Sequence, residues 1–320
     1  MSNMSKEPNP YLVHRLQEYI DVCGSQNKAA SNIGISSPII SQYRRGIYTG
    51  DVNVVEQQLE EFFKANDEQS TMRNHRYPYV EASAYIPTSV SEDVYKAIRY
   101  CQLERGMVVL HGDAGIGKTK AAEKFVLENP AAAIYIQATP STGTLNILLK
   151  LLARALKISE KSNKLDLMIG IKQKLEGTNK IIIIDEAQHL KLSALEEIRT
   201  LSDPNTITGQ AGTGIVLIGN TEVYGRMLGK QEARFAQLFS RIRMNRCYST
   251  SNITKDDVLK LFPCLGSSES AKQVEFLHGI CQSKWGVRGA VNVYNNAVNS
   301  DDISYEGLYK MARSMGIGLL

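Results

Sequence analysis

The chain has 320 residues, 43% hydrophobic and 22% charged, a composition that fits a soluble globular protein of two or three domains. Its net charge of +4 is too small to mark a dedicated polyanion binder. Five widely spaced cysteines (Cys23, Cys101, Cys247, Cys264, Cys281) argue against a disulfide framework or a zinc site and for a reducing compartment. No apolar stretch approaches the ~18 residues of a membrane span, and no signal-peptide core opens the chain, so a cytoplasmic protein without membrane contact is expected.

Residues 1–65 read as a small all-helical domain, with helices expected over Tyr11–Cys23, Gln26–Ile33, Ser37–Arg45 and Val52–Lys64, separated by Gly24, Gly34 and Gly46. The rhythm from Gln26 to Tyr43 is that of a helix-turn-helix. Ala29 and Ala30 allow close packing, Gly34 makes the turn, Ser36 or Ser37 caps the second helix, and Ile39, Ile40 and Tyr43 form its apolar face. Ser37, Ser41, Gln42, Arg44 and Arg45 would then face a DNA groove or its phosphates. Acids and bases nearly cancel in this region, so a four-helix protein-interaction module is the alternative reading. Residues 66–87 form a polar linker.

From 88 to 250 the pattern alternates between strands (107–111, 132–137, 180–184, 214–219) and helices (118–128, 143–157, 164–176, 191–201). The first three strands are nearly continuous apolar runs, which predicts an α/β fold with a parallel sheet covered on both faces. Residues 251–320 read as an α-helical lid, with helices at 254–262, 269–283, 288–299 and 304–314.

Chemistry is concentrated on the strand ends. Gly112-Asp113-Ala114-Gly115-Ile116-Gly117-Lys118-Thr119 is a complete G-x-x-x-x-G-K-[ST] phosphate loop between a strand and a helix start, extended by Lys120. Its glycines let the backbone wrap a polyphosphate and helix-start amides point at the charge. Lys118 is expected on the β- and γ-phosphates of ATP and the Thr119 hydroxyl on Mg²⁺. The run Ile181–Ile184 ends in Asp185, a second Mg²⁺ ligand through water, and Glu186, expected to orient and deprotonate the attacking water. The 132–137 run supplies a strand between these two motifs, as in additional-strand ATPases. Asn220, ending the next strand, is placed to sense the γ-phosphate. Arg241, with Arg243 and Arg246 close by, is either a neighbouring subunit's charge-neutralising arginine or a helix-end arginine held by the macrodipole. Arg288 either reaches the nucleotide from the lid or is a surface residue.

Together Gly112–Thr119, Thr139-Pro140-Ser141, Leu175–Thr178, Ile183–Leu190, Leu217–Asn220 and Phe235–Ile242 give the chain a resemblance to the phage Mu transposition protein B family of AAA+ ATPases. The sequence departs from that pattern at Gln188, where an acidic residue is expected, and in a long polar loop from Pro204 to Gly214. The resemblance implies an AAA+ P-loop NTPase with a helical lid. It further implies an ATPase that assembles on double-stranded DNA as a homo-oligomeric helical filament or ring. Such a protein delivers target DNA to a transposase and is released on hydrolysis. DNA contact of that kind would be to phosphates and sequence-tolerant, with Thr139, Ser141, Thr142, Lys161 and Lys164 as candidates. A helicase-loader or replication-initiator-like ATPase, or an ATP-gated helix-turn-helix transcription regulator, would share most of these features.

Overall fold

The computed structural model describes residues 8–71, 77–81, 84–207, 209–228 and 242–318. The chain divides into two compact units, Met1–Arg76 and Tyr77–Leu320.

Among the described residues the first unit holds four helices, α1 (Pro10–Cys23), α2 (Gln26–Ile33), α3 (Ser37–Arg44) and α4 (Val52–Thr71). Pro10 opens α1 behind an Asn9 cap, whose side chain accepts the Tyr11 N–H at 3.0 Å. Gly24 and Gly34 end α1 and α2 in the left-handed region, with φ of 71° and 81°. Ser36 is the N-cap of α3 but makes no side-chain capping bond, and the Ser37 hydroxyl instead accepts from Gln26 Nε2 at 3.0 Å. Leu16, Ile40, Tyr43 and Leu59 form the buried centre, with Ile39 only partly covered. Helix α4 runs past Lys64 to Thr71, into the stretch expected as linker.

The second unit is built on a five-stranded, all-parallel sheet in the order β2-β3-β4-β1-β5. The strands are β1 (Met107–Gly112), β2 (Ala133–Gln137), β3 (Ile181–Asp185), β4 (Gly214–Gly219) and β5 (Ile242–Tyr248). Strands β1, β3 and β4 are buried along their whole length, which is why they read as unbroken apolar runs. Strand β4 lies between β1 and β3, so the phosphate loop and the Asp-Glu pair leave the same sheet end two strands apart.

Helices α5 (Ser89–Glu104), α6 (Lys118–Glu128), α7 (Leu145–Ala155), α8 (Lys164–Leu175), α9 (Leu192–Ser202) and α10 (Thr221–Leu228) accompany the sheet. Helix α5 and strand β5 were not foreseen. α5 starts at a Thr88–Ser91 capping box and buries Val90, Val94, Ala97, Ile98 and Cys101 on one face. Its helical spacing is visible once the cap is recognised. β5 is an edge strand whose residues alternate between half-buried and exposed.

Four helices close the chain: α11 (Lys255–Leu261), α12 (Ala271–Gln282), α13 (Gly286–Asn299) and α14 (Tyr305–Ser314). They pack on Phe262, Leu277, Tyr294 and Leu308 as part of the core on one side of the sheet. Among the described residues no helix is long and apolar enough to cross a membrane.

Candidate nucleotide-binding site

At the carboxyl end of β1 the chain turns through residues 113–117 into α6. Gly112 has φ +135°, and a Cβ there would lie 1.9 Å from the Tyr248 carbonyl oxygen of β5, so only glycine fits. The same carbonyl accepts the Asp113 N–H at 2.9 Å. The Asp113 carboxylate in turn accepts from Thr250 N at 2.8 Å and Ser249 Oγ at 3.1 Å. Asp113 thus anchors the loop to the segment after β5. Ile116 is buried beneath the loop, while Gly115 and Gly117 take φ of +72° and +100°. Ala114 presents its backbone to the cleft beside them.

Lys118 opens α6 and is buried, its Nζ donating to the carbonyls of Gly112 at 3.0 Å and Asp113 at 2.5 Å. Burial pushes the ammonium below its usual range, while the charges of Asp185, Asp113 and Glu186 oppose that shift. The Lys120 ammonium pairs with Glu123 at 2.9 Å on α6, and both residues border the cleft.

Asp185 ends β3 fully buried. Burial raises its carboxyl above the usual range, against hydrogen bonds from the Thr119 side chain, the Glu186 N–H and the Tyr135 hydroxyl. The Tyr135 bond to Oδ2 is 3.0 Å and the Glu186 N–H bond to Oδ1 is 2.9 Å. Thr119 and Asp185 therefore meet as two hard oxygen donors, the kind Mg²⁺ takes. Glu186 follows with φ 53°, in the left-handed region, and one carboxylate oxygen accepts from Gln188 Nε2. Asn220 stands half-buried after β4, its side-chain oxygen accepting the Glu222 N–H at 2.9 Å.

These groups border one cleft of about 550 Å³ that also reaches Arg288, on the exposed face of α13. The lid is tied to the loop here. The Arg288 N–H donates to the Gly115 carbonyl at 3.2 Å, and Gly286 approaches Ala114 and Gly115 too closely for any side chain. Ile86, Leu261, Val287 and Val291 supply an apolar end to the cleft. The structure thus brings together Gly112, Ala114 to Lys120, Asp185, Glu186, Asn220 and Arg288, whereas the Asp113 side chain turns away to the segment after β5. Arg241 and the Phe235–Ser240 segment before it lie outside the described residues. Arg246 pairs with Asp93, and Arg243 packs over Gly106. Tyr135 and the apolar end were missed by sequence reading, and Gln188 was noted only as a departure from the family pattern. Only a polar group breaking the apolar β2 run could have pointed to Tyr135.

The residues considered for DNA lie in separate places. Ser41, Arg44 and Arg45 border an open cleft of the helical unit, and Gln42 is exposed nearby on α3. The Arg44 guanidinium is engaged by Gln17 and by Gln26 Oε1, the latter at 3.3 Å. In the other unit the Thr139 hydroxyl contacts those of Ser141 and Thr142, each at 3.0 Å, in the turn after β2. Lys161 and Lys164 are exposed just before and at the start of α8.

Residues 101–227 match the family model described as an AAA domain. Over 287 residues the chain is 28% identical to the Mu-like prophage FluMu DNA transposition protein B of Haemophilus influenzae, covering 88% of this chain and 95% of that protein. It is 29% identical over 267 residues to the ATP-dependent target DNA activator B of Escherichia phage Mu, covering 83% and 79% of the two chains. Among solved structures, the Aeropyrum pernix ORC2 protein aligns with a TM-score of 0.52 at 16% identity, over 75% of this chain and 72% of that one. Pyrobaculum aerophilum Cdc6p aligns with a TM-score of 0.55 at 14% identity, over 72% and 69%. The fold is that of an AAA+ P-loop NTPase, and over most of its length the chain is similar to the transposition B proteins of Mu-type phages.

Proposed function

We propose that this protein is an ATPase that binds duplex DNA in its ATP state, hands that DNA to a transposase and lets go on hydrolysis. The observation that carries the reading is the meeting of Lys118, Thr119, Asp185 and Glu186 in one cleft, in a chain whose relatives are named for transposition and ATP-dependent target DNA activation.

The chemistry follows from the groups. The phosphate-loop amides and Lys118 bind the triphosphate, and Lys118 exchanges its two carbonyl partners for phosphate oxygens. Thr119 directly, and Asp185 through water, would hold Mg²⁺, which neutralises charge on the transferring phosphoryl group. Glu186 takes the proton of the attacking water, Asn220 fixes that water or the γ-phosphate, and Arg288 contacts the phosphates from the lid. Arg241 serves the site of a neighbouring subunit, so ATP stabilises a homo-oligomer by binding at the seam.

Along such an assembly DNA is held by its phosphates, through the Thr139–Thr142 turn, Lys161 and Lys164, with Ser37, Ser41, Gln42 and Arg45 of the helix-turn-helix as further contacts. Arg44, engaged by Gln17 and Gln26, orders that surface rather than reading bases.

Electron microscopy with random-sequence duplex tests this directly. Filaments or rings should form with a slowly hydrolysed ATP analogue and vanish without nucleotide. Equal coating of DNA in both conditions, or binding to a single operator sequence only, would refute it. Lys118→Ala should abolish nucleotide binding and DNA binding together. Glu186→Gln should keep ATP, lose hydrolysis by about 10²-fold or more, and prolong the DNA-bound state.

A further inference from the structure

Gln188 sits in the 3₁₀ turn Ala187–His189 that follows β3, and it is 8% exposed. Its side-chain amide is used at both ends. Nε2 donates to Glu186 Oε2, and Oε1 accepts the Asn220 N–H at 3.4 Å. One amide therefore joins the group after β3 to the group after β4. Room for it depends on Gly219, where a Cβ would lie 2.4 Å from Gln188 Oε1. The turn also holds Glu186 in its left-handed conformation through the His189 N–H, which donates to the Glu186 carbonyl at 3.0 Å.

A carboxylate that accepts a proton from water needs one oxygen open and its plane fixed. A donor on Oε2 leaves Oε1 to the water and adds no charge that would compete for it. The other end of the amide needs an acceptor for the Asn220 N–H. A side-chain amide offers a donor and an acceptor at once without carrying a charge. An ionised Asp or Glu at 188 would satisfy Asn220 but set two carboxylates against each other. That is the physical sense of the departure from the acidic residue expected here.

Resting on the ATPase reading above, we propose that Gln188 is a positioning residue for hydrolysis, aligning the Glu186 carboxylate and tying it to Asn220 so that base and γ-phosphate sensor move as one unit. Neither end of this arrangement needs Gln188 to touch nucleotide.

The test uses the full chain with random-sequence duplex, measuring kcat for ATP and the Kd of a fluorescent ATP analogue. Gln188→Met keeps the length but loses both polar ends; kcat should fall about tenfold or more with Kd unchanged within about twofold. In a Glu186→Gln background the same change should cost nothing further. Gln188→Glu, nearly isosteric, keeps an acceptor for the Asn220 N–H but replaces the donor to Glu186 with a second carboxylate, so kcat should again fall about tenfold or more with Kd within about twofold. This variant carries the test if Gln188→Met melts early. Unchanged kcat in Gln188→Met or in Gln188→Glu, or a loss appearing in Kd instead, would overturn the proposal. Full hydrolysis by Glu186→Gln would instead defeat the underlying assignment of the base.

Discussion

Tyr135 reaches across from β2 to put its hydroxyl on Asp185, a carboxylate that burial already pushes toward protonation. With that donor removed, the proton holds Asp185 more tightly and competes better with a divalent cation. Tyr135→Phe should therefore raise the Mg²⁺ concentration needed for half-maximal hydrolysis by several-fold. The penalty should be larger at the lower of two pH values, because a carboxyl raised above its usual range is the more titrated there. A Mg²⁺ titration at the two pH values checks the sign. A penalty independent of pH would mean that Tyr135 only fills space. The sequence does not show this contact, because an aromatic residue in a strand is accounted for by packing, and Tyr135 does pack on the core beside Ala133. Register alone puts it beside Ile183, one strand residue pair below Ile184 and two below Asp185.

At the scale of elements, Asp257 on α11 clamps the start of α5. It is 1% exposed and accepts from Ser89 N at 2.7 Å, Ser89 Oγ at 2.6 Å, Thr254 N at 2.9 Å and Thr254 Oγ1 at 3.0 Å. Burial alone would raise its carboxyl, but these donors outweigh it and hold the group below its usual range. A depressed folded pKa contributes stability above the unfolded value and loses it as pH falls through the folded one. Asp257→Asn should destabilise the chain by about 2 kcal/mol near neutrality, with the difference from the parent shrinking below about pH 4. Thermal melts across that range measure it. Gly143 makes a second junction: its carbonyl accepts the Lys191 N–H at 2.9 Å, and a Cβ there would lie 1.9 Å from the His189 carbonyl oxygen. Gly143→Ala must force apart the turn bearing Thr139–Thr142 and the turn bearing Gln188. Loss of hydrolysis together with a lowered melting temperature is expected. These junctions also explain which elements could be read beforehand. β1, β3 and β4 declare themselves because both faces are apolar, whereas β5 alternates Arg243, Asn245 and Cys247 outward and resembles a basic helix end. The phosphate loop and Asp185-Glu186 are legible because contiguous residues carry them. Gln188 was visible only as a departure, since its meaning depends on β4 lying beside β3.

Each of the two units buries a core of its own. Leu12, Leu16, Ile40, Tyr43, Leu59 and Phe63 are buried among themselves in the helical unit, while the sheet and final helices bury two clusters of their own. Every described group at the nucleotide cleft comes from residues after Tyr77. A chain of residues 77–320 should consequently fold without the first 76 and keep nucleotide affinity within about twofold of the full chain. At about 100 times the Kd, ATP with Mg²⁺ should stabilise it by about 2.7 kcal/mol, which a melting shift reports. DNA binding separates the roles of the two units. If the Thr139–Thr142 turn, Lys161 and Lys164 carry most phosphate contacts, the shortened chain retains ATP-dependent binding and loses only the salt-dependence due to Arg45 and its neighbours. A shortened chain that binds ATP normally but no longer binds duplex at any salt concentration would move the DNA surface to the helical unit.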